Sequence, residues 1–136
     1  MKRNFLGILT TMALALLISV PLSAQSIARV TVPFDFTVGQ TQMSAGTYDI
    51  NPLGDAIVIR DTKAAKSALS MVRSERSRNS NSGTKLVFNR YGDKYFLSQV
   101  SRGFGGSVMQ LPPSKLEKEL RIASSNVTRK VVVAAK

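Results

Sequence analysis

The sequence predicts a mainly β fold, a small antiparallel barrel or sandwich of about seven or eight strands with one short C-terminal helix. Residues 29–38 alternate apolar and polar side chains with a period of two, which is the pattern of a strand with one solvent-exposed face. Two β-rich runs flank a short glycine-containing loop at residues 91–93, which indicates a hairpin. Strand-sized apolar runs recur between turn residues along the chain. The pattern does not distinguish a barrel from a sandwich.

The first predicted strand, residues 29–38, places its valines and phenylalanines on one face. Pro33 has no N–H to donate to a ladder, so we expect this strand to lie at a sheet edge or to be interrupted there. Residues 47–50 and 56–60 are the next predicted strands, and the dense turn cluster at residues 51–55 separates them.

Residues from about 67 to 73 alternate Leu69 and Met71 with serine, which favours a strand whose two large apolar side chains face the core. The stretch at residues 74–83 is polar and lacks periodicity, and we expect an exposed loop there. Residues 85–90 and 94–100 form the predicted hairpin. Residues 108–111 are predicted to form a short strand.

Pro112 and Pro113 end that strand, and Ser114 with Glu117 forms a capping box, in which each residue bonds the backbone N–H of the other. The helix is expected to continue to Ile122. Residues 124–136 are either a final strand or a loose tail.

The predicted core follows from these strand faces. In the hairpin, we expect Phe96 to point inward and Tyr95 to lie nearer water. The predicted core residues are Val32, Phe34, Phe36, Tyr48, Ile50, Ile57, Ile59, Leu69, Met71, Leu86, Phe88, Phe96 and Leu116.

Residues 1–24 have the three parts of a secretory signal peptide: a basic start, an apolar run at residues 5–20 and a small-residue exit. The run is shorter than the roughly 20 residues that span a bilayer. We therefore expect cleavage between Ala24 and Gln25, and no stable membrane span after it. The prediction is an exported protein, periplasmic or extracellular, whose residues 25–136 form a single β-rich domain.

The charge of the chain is one-sided. Its 19 basic and 8 acidic residues give a net charge of +11, and loss of the signal segment leaves +9. Such a charge favours anionic partners without specifying one. For an exported protein we expect an anionic envelope component or another protein, rather than nucleic acid; the oligomeric state is left open.

Several kinds of chemistry are excluded by composition. The chain has no histidine and no cysteine, which excludes disulfides, thiol catalysis, histidine-activated nucleophiles and histidine-ligated metals. The acidic residues fall mostly in turns or on outer strand faces. We expect no enzyme, no catalytic or metal-binding residues and no cofactor.

The densest basic cluster is formed by Arg73, Arg76 and Arg78 in the predicted loop. Guanidinium groups bind phosphate and carboxylate in a bidentate manner, so these three residues are the candidate polyanion-binding site. The alternative is a solvated charged loop, which charge runs usually are.

Four stretches resemble small exported bacterial proteins of unknown function: residues 32–39, residues 45–48, the hairpin block at residues 86–97 and the Leu-Pro to Glu-Leu stretch at residues 111–120. Asn89 departs from the family pattern, which has histidine there. The resemblance implies a coherent domain and lends no activity. Together these features predict a non-enzymatic binding or structural module of the cell envelope; the alternative is a small β-barrel carrier of an apolar ligand, which an apolar internal cavity would favour.

Overall fold

The described part of this computed structural model covers residues 28–77, 83–103, 106–124 and 128–135. It confirms a mainly β architecture with one short C-terminal helix, and the strands form two sheets arranged as a sandwich. The predicted signal segment and the cleavage position between Ala24 and Gln25 lie outside the described residues.

Eleven strands are present in these segments, more than the sequence predicts. The first sheet, sheet A, contains β1 (Ala28–Val32), β4 (Gly46–Leu53), β5 (Ala56–Asp61) and β6 (Ser67–Met71). The second, sheet B, contains β2 (Phe36–Val38), β3 (Thr41–Met43), β7 (Arg73–Arg76), β8 (Lys85–Tyr91), β9 (Lys94–Ser101), β10 (Ser107–Gln110) and β11 (Arg129–Ala134). The helix α1 is Lys115–Ala123.

Sheet A has the strand order β1-β4-β5-β6, with every neighbouring pair antiparallel. Sheet B runs β11-β8-β9-β10-β7, and the β2–β3 hairpin joins it through a parallel contact between Thr37 and Phe96. β11, the end strand of sheet B, lies beside β1, the end strand of sheet A. The residues at 124–136 therefore include a final strand, and the loose-tail alternative does not apply to β11.

Within the described residues the chain passes between the two sheets three times, from β1 to β2, from β3 to β4 and from β6 to β7. Pro33 separates β1 from β2, so the predicted first strand is interrupted there, and β1 is an edge strand of sheet A. The Asp35 carboxylate then accepts a hydrogen bond from the Ala45 N–H at 2.8 Å. Val72 separates β6 of sheet A from β7 of sheet B. These three crossings tie the layers of the sandwich together.

Aromatic side chains fill the space between the sheets. Phe36 meets Tyr48 edge-on at a centroid distance of 5.1 Å and Phe88 at 5.3 Å. Phe34 is half-buried, stacks on Tyr95 at 3.9 Å and meets Phe88 edge-on at 5.1 Å. The predicted core residues that are confirmed as buried are Val32, Phe36, Tyr48, Ile50, Ile57, Ile59, Leu86, Phe88 and Phe96.

The hairpin of β8 and β9 is confirmed, with Gly92 at a φ of +64°, a left-handed conformation that glycine adopts without strain. Its two faces are both covered. Phe96 is buried against Tyr91 on the face away from the main core, whereas the half-buried Tyr95 packs against that core. Phe96 is thus buried as predicted, but it is Tyr95 that lies on the face toward the main core. A bulge between Val87 and Phe88 shifts the register of the pair.

The predicted turn cluster at residues 51–55 is narrower in the structure. Residues 51–53 extend β4, and the turn proper contains Gly54, with a φ of +57°, and Asp55. The predicted loop at residues 74–83 is wrong at its start, because residues 74–76 belong to β7 and pair with β10. Backbone pairing with a neighbouring strand overrides the polar composition here. Strand β3 has no counterpart in the sequence prediction.

Helix α1 begins where predicted, and the Ser114 hydroxyl accepts a hydrogen bond from the Glu117 N–H at 3.1 Å. The Glu117 carboxylate does not return this bond to Ser114. It is buried and accepts from the Asn89 amide at 2.8 Å and the Tyr91 hydroxyl at 3.3 Å. Glu117 therefore fastens the helix to the hairpin. The predicted core residue Leu116 is 45% exposed, because the helix turns Glu117 toward the sheet.

Candidate functional site

Two of the three predicted arginines, Arg73 and Arg76, do not lie together in the structure. Arg73 and Arg76 lie in β7, opposite Gln110 and Ser107 of β10, and both are exposed. Three positions apart on a strand, they point to opposite faces. Arg78 lies outside the described residues. Over residues 73–76 the predicted site is thus a paired strand rather than an adaptable loop, and it does not bring Arg73 and Arg76 together.

The outer face of sheet A carries a more pronounced feature, an exposed apolar patch. We define the apolar patch as Leu53, Val58, Leu69 and Met71. Val58 lies opposite Leu69, and Ala56 lies between Leu53 and Met71 across the three strands β4, β5 and β6. Leu53, Leu69 and Met71 are 65%, 61% and 62% exposed. A contiguous exposed apolar patch is typical of an interaction surface.

The apolar patch includes two residues that the sequence predicts to be buried, Leu69 and Met71. The prediction is wrong because the β5–β6 register pairs Ile59 with Ala68 and Ile57 with Ser70. Directly opposite residues share a face, so the small side chains of β6 point inward with the two isoleucines. The large side chains at alternate positions consequently point to solvent.

The other half of this face is charged. The Arg29 guanidinium donates to both oxygens of Asp49, at 2.8 and 3.1 Å. This hydrogen bond, with the nearby charge of Arg60, holds the pKa of Asp49 below its ordinary value. Asp61, at the end of β5, lies opposite the buried Tyr48 and so belongs to the other face of the sheet. The N–H groups of Lys63 and Ala64 donate to Asp61 and lower the pKa of that carboxyl.

Two arginines border the apolar patch. Arg60 lies on the same face of β5 as Val58, and Arg73 follows Met71 by two positions along the chain. Within the described segments neither Arg60 nor Arg73 forms an ion pair. One carboxylate, Asp55, also lies beside the patch, in the turn that follows Leu53.

A cleft of about 400 Å³ adjoins Met71. We call it the proline cleft; Met71, Val72 and Arg73 line one side, and residues 110–113 line the other. The cleft is open because its two walls form backbone hydrogen bonds to different sheets. The Val72 N–H donates to the Asp55 carbonyl of sheet A at 2.8 Å, and the Leu111 N–H donates to the Ser98 carbonyl of sheet B at 2.9 Å.

Two further clefts, of about 410 and 310 Å³, lie beside α1 and share Thr37 and Leu116. Both mix polar side chains with Leu116, and the smaller also contains Asp35 and Asp93. Asp93 belongs to the hairpin turn, as predicted, whereas Asp35, predicted on the polar face of the first strand, lies in the segment between β1 and β2. Among the residues described, no group of three or more histidine, cysteine, aspartate or glutamate side chains comes together as a metal site would require.

A scan of family models, a search of curated proteins and a search of solved structures each found no match to this chain. The resemblance to small exported proteins therefore stays a prediction. Asn89, the position at which that pattern has histidine, hydrogen-bonds the buried Glu117 carboxylate. No helix in the described ranges has the length and apolar character that crossing a membrane requires.

The sequence contains a partial signal for the apolar patch. Arg60 follows four apolar residues in β5, and it marks the outer face of that strand, to which Val58 also belongs. Which side chains of β6 share this face is decided by the register between β5 and β6. That register depends on the Asp61–Lys66 turn, in which the Asp61 N–H donates to the Lys66 carbonyl at 2.9 Å, and alternation within β6 alone does not reveal it.

Proposed function

We propose that this protein is an exported, non-enzymatic binding module of the cell envelope, whose partner is an anionic envelope component or another protein. The single observation that carries the proposal is the apolar patch with Arg60 and Arg73 beside it. Apolar side chains held in water on a rigid sheet face favour association, because a partner removes them from solvent. The net positive charge raises the encounter rate with anionic partners.

The signal-like residues 1–24 support export, and the absence of cysteine and histidine from the sequence removes several common kinds of enzyme chemistry. A carrier of an apolar ligand is the weaker alternative. Its ligand would need an internal apolar cavity, whereas the space between the sheets is filled by Tyr48, Met43, Phe88 and their neighbours. The clefts of a few hundred Å³ described above lie between surface elements.

The test is retention of the mature protein, residues 25–136, by an envelope preparation from its native source. Wild type is compared with the double variant Leu69→Ser and Met71→Ser, and with Ile122→Ser as the matched control. Ile122 is also exposed, at 81%, but lies on α1 and is not part of the patch. Mass spectrometry of the retained complex identifies the bound component.

We expect the patch variant to lose retention and the Ile122 variant to keep it, with all three proteins melting at similar temperatures because the changes are on the surface. Retention should also weaken with salt, since exposed charges are screened over about 8 Å at physiological ionic strength. Equal retention of all three proteins, or retention of none, would contradict the proposal.

A further inference from the structure

We propose that the partner is a protein, and that an apolar–acidic segment of it docks in the proline cleft with its apolar side chain on Met71 and its carboxylate on Arg73. This rests on the proposed function and narrows it to one surface and one ligand chemistry. Met71 is shared by the apolar patch and the proline cleft, so the two form one continuous surface.

The prolines explain why this position is open. The pairing of Arg73 with Gln110, continued by two residues, would set Pro112 opposite Met71. Proline has no N–H for a ladder, so the contact between the strands ends and β10 does not continue along β6. The edge of sheet A near Met71 is left facing a concavity with an apolar proline wall.

The charge of the cleft favours a carboxylate. Arg73 is the charged residue of its lining, and in the described part of the chain its guanidinium forms no ion pair. Glu75, two positions along the same strand, instead accepts a hydrogen bond from the Gln110 amide at 3.3 Å. An arginine flanked by apolar walls binds carboxylate well, because both N–H groups of its fork can be used.

Shape and charge disfavour two other occupants. A bilayer is flat over this scale and cannot enter a cleft between two strands, and Asp55 beside Leu53 would face anionic lipid with a like charge. A second copy of this chain would bring together two strongly basic proteins. A protruding protein segment meets neither difficulty.

The experiment uses the full chain expressed in its native cells, with a photo-crosslinking amino acid at position 110 in the wall of the cleft. Position 122 carries the crosslinker in the control protein. Each is made with no other change, with Met71→Ser, with Arg73→Glu and with Arg76→Glu. Arg76 provides a matched control, since it lies on the same strand and undergoes the same charge change on the opposite face.

We expect a protein adduct at position 110 whose yield falls more than about tenfold with Met71→Ser or Arg73→Glu, as for an interface anchor, and stays unchanged with Arg76→Glu. Mass spectrometry should locate the adduct in a segment with an apolar residue beside a carboxylate. Replacing that carboxylate by lysine in the partner should restore the adduct with Arg73→Glu.

Equal losses with Arg73→Glu and Arg76→Glu would overturn the inference, because they would indicate diffuse charge attraction. So would an adduct with lipid or with a second copy of the chain, or the absence of any adduct specific to position 110. If envelope retention persists and still depends on Leu69 and Met71 in those cases, the proposed function stands and only the partner chemistry is wrong.

Discussion

The outward orientation of Leu69 on β6 can be tested by making the same substitution, Leu→Ala, at Leu69 and at Leu86. Leu86 is fully buried in the core and Leu69 is 61% exposed in the apolar patch. Both are in strands, so Leu→Ala removes the same atoms from the same kind of backbone. Only the surroundings of the two side chains differ.

Leu86→Ala should lower the free energy of unfolding by about 2–5 kcal/mol, because it loses transfer energy and leaves a cavity between the sheets. Leu69→Ala leaves no internal cavity, and we expect a cost below about 1 kcal/mol, most of it from the weaker strand propensity of alanine. Leu69→Thr restores that propensity and should be nearly neutral.

The assay is urea unfolding of residues 25–136 followed by circular dichroism, with thermal melting as a second measure. For a domain of this size, 1 kcal/mol corresponds to about 4 °C in the melting temperature. Leu86→Ala should therefore melt about 8–20 °C below wild type. Similar losses for Leu86→Ala and Leu69→Ala would place Leu69 in the core and refute the β5–β6 register described above.

Three further predictions concern stability. Phe88→Ala should cost about 3–5 kcal/mol by urea unfolding, because the ring is buried among other aromatics; a cost under about 1 kcal/mol would contradict its burial. Glu117→Leu should cost about 1–3 kcal/mol because it leaves the buried donors below α1 without an acceptor, whereas Glu117→Gln keeps one acceptor oxygen and should cost less; equal costs would argue against this anchor. The folded-state pKa values of Asp49 and Asp61 lie below the ordinary 3.8, so their stabilisation is present above that pH and is lost as pH falls through the lower folded values. In the double variant Asp49→Asn, Asp61→Asn, the melting temperature should therefore fall less steeply than in wild type as the pH is lowered. An unchanged fall would show that other groups cause it.

Much of the fold is predictable from the sequence because several signals are local. The alternation around Pro33, the glycine turn of the hairpin and the Ser114 cap each depend on a few neighbouring residues, and each is confirmed. The errors in the strands share one cause, which is pairing between distant segments. Strand β7 exists because β10 lies beside it, although residues 74–76 are all polar.

The candidate site was less predictable for the same reason. Arginine density identifies Arg73, but it does not indicate that Arg76 faces away or that Met71 reaches solvent beside Pro112. These facts come from the β5–β6 register and from the divergence of two strands around the proline cleft. The role of Glu117 was also hidden, because the capping pattern explains its position in the helix without revealing the hydrogen bonds from the hairpin.

The pairing of β11 with β8 has a consequence for the newly made chain. Sheet A has all its strands once residue 71 has left the ribosome. In contrast, Arg129 pairs with Arg90 and Ala134 with Lys85, at sequence separations of 39 and 49 residues. Until then one edge of β8 has no neighbour, and an unpaired edge recruits other strands. A premature stop that removes β11 would leave this edge of β8 open, and we therefore expect it to produce an aggregating protein rather than a slightly shortened one.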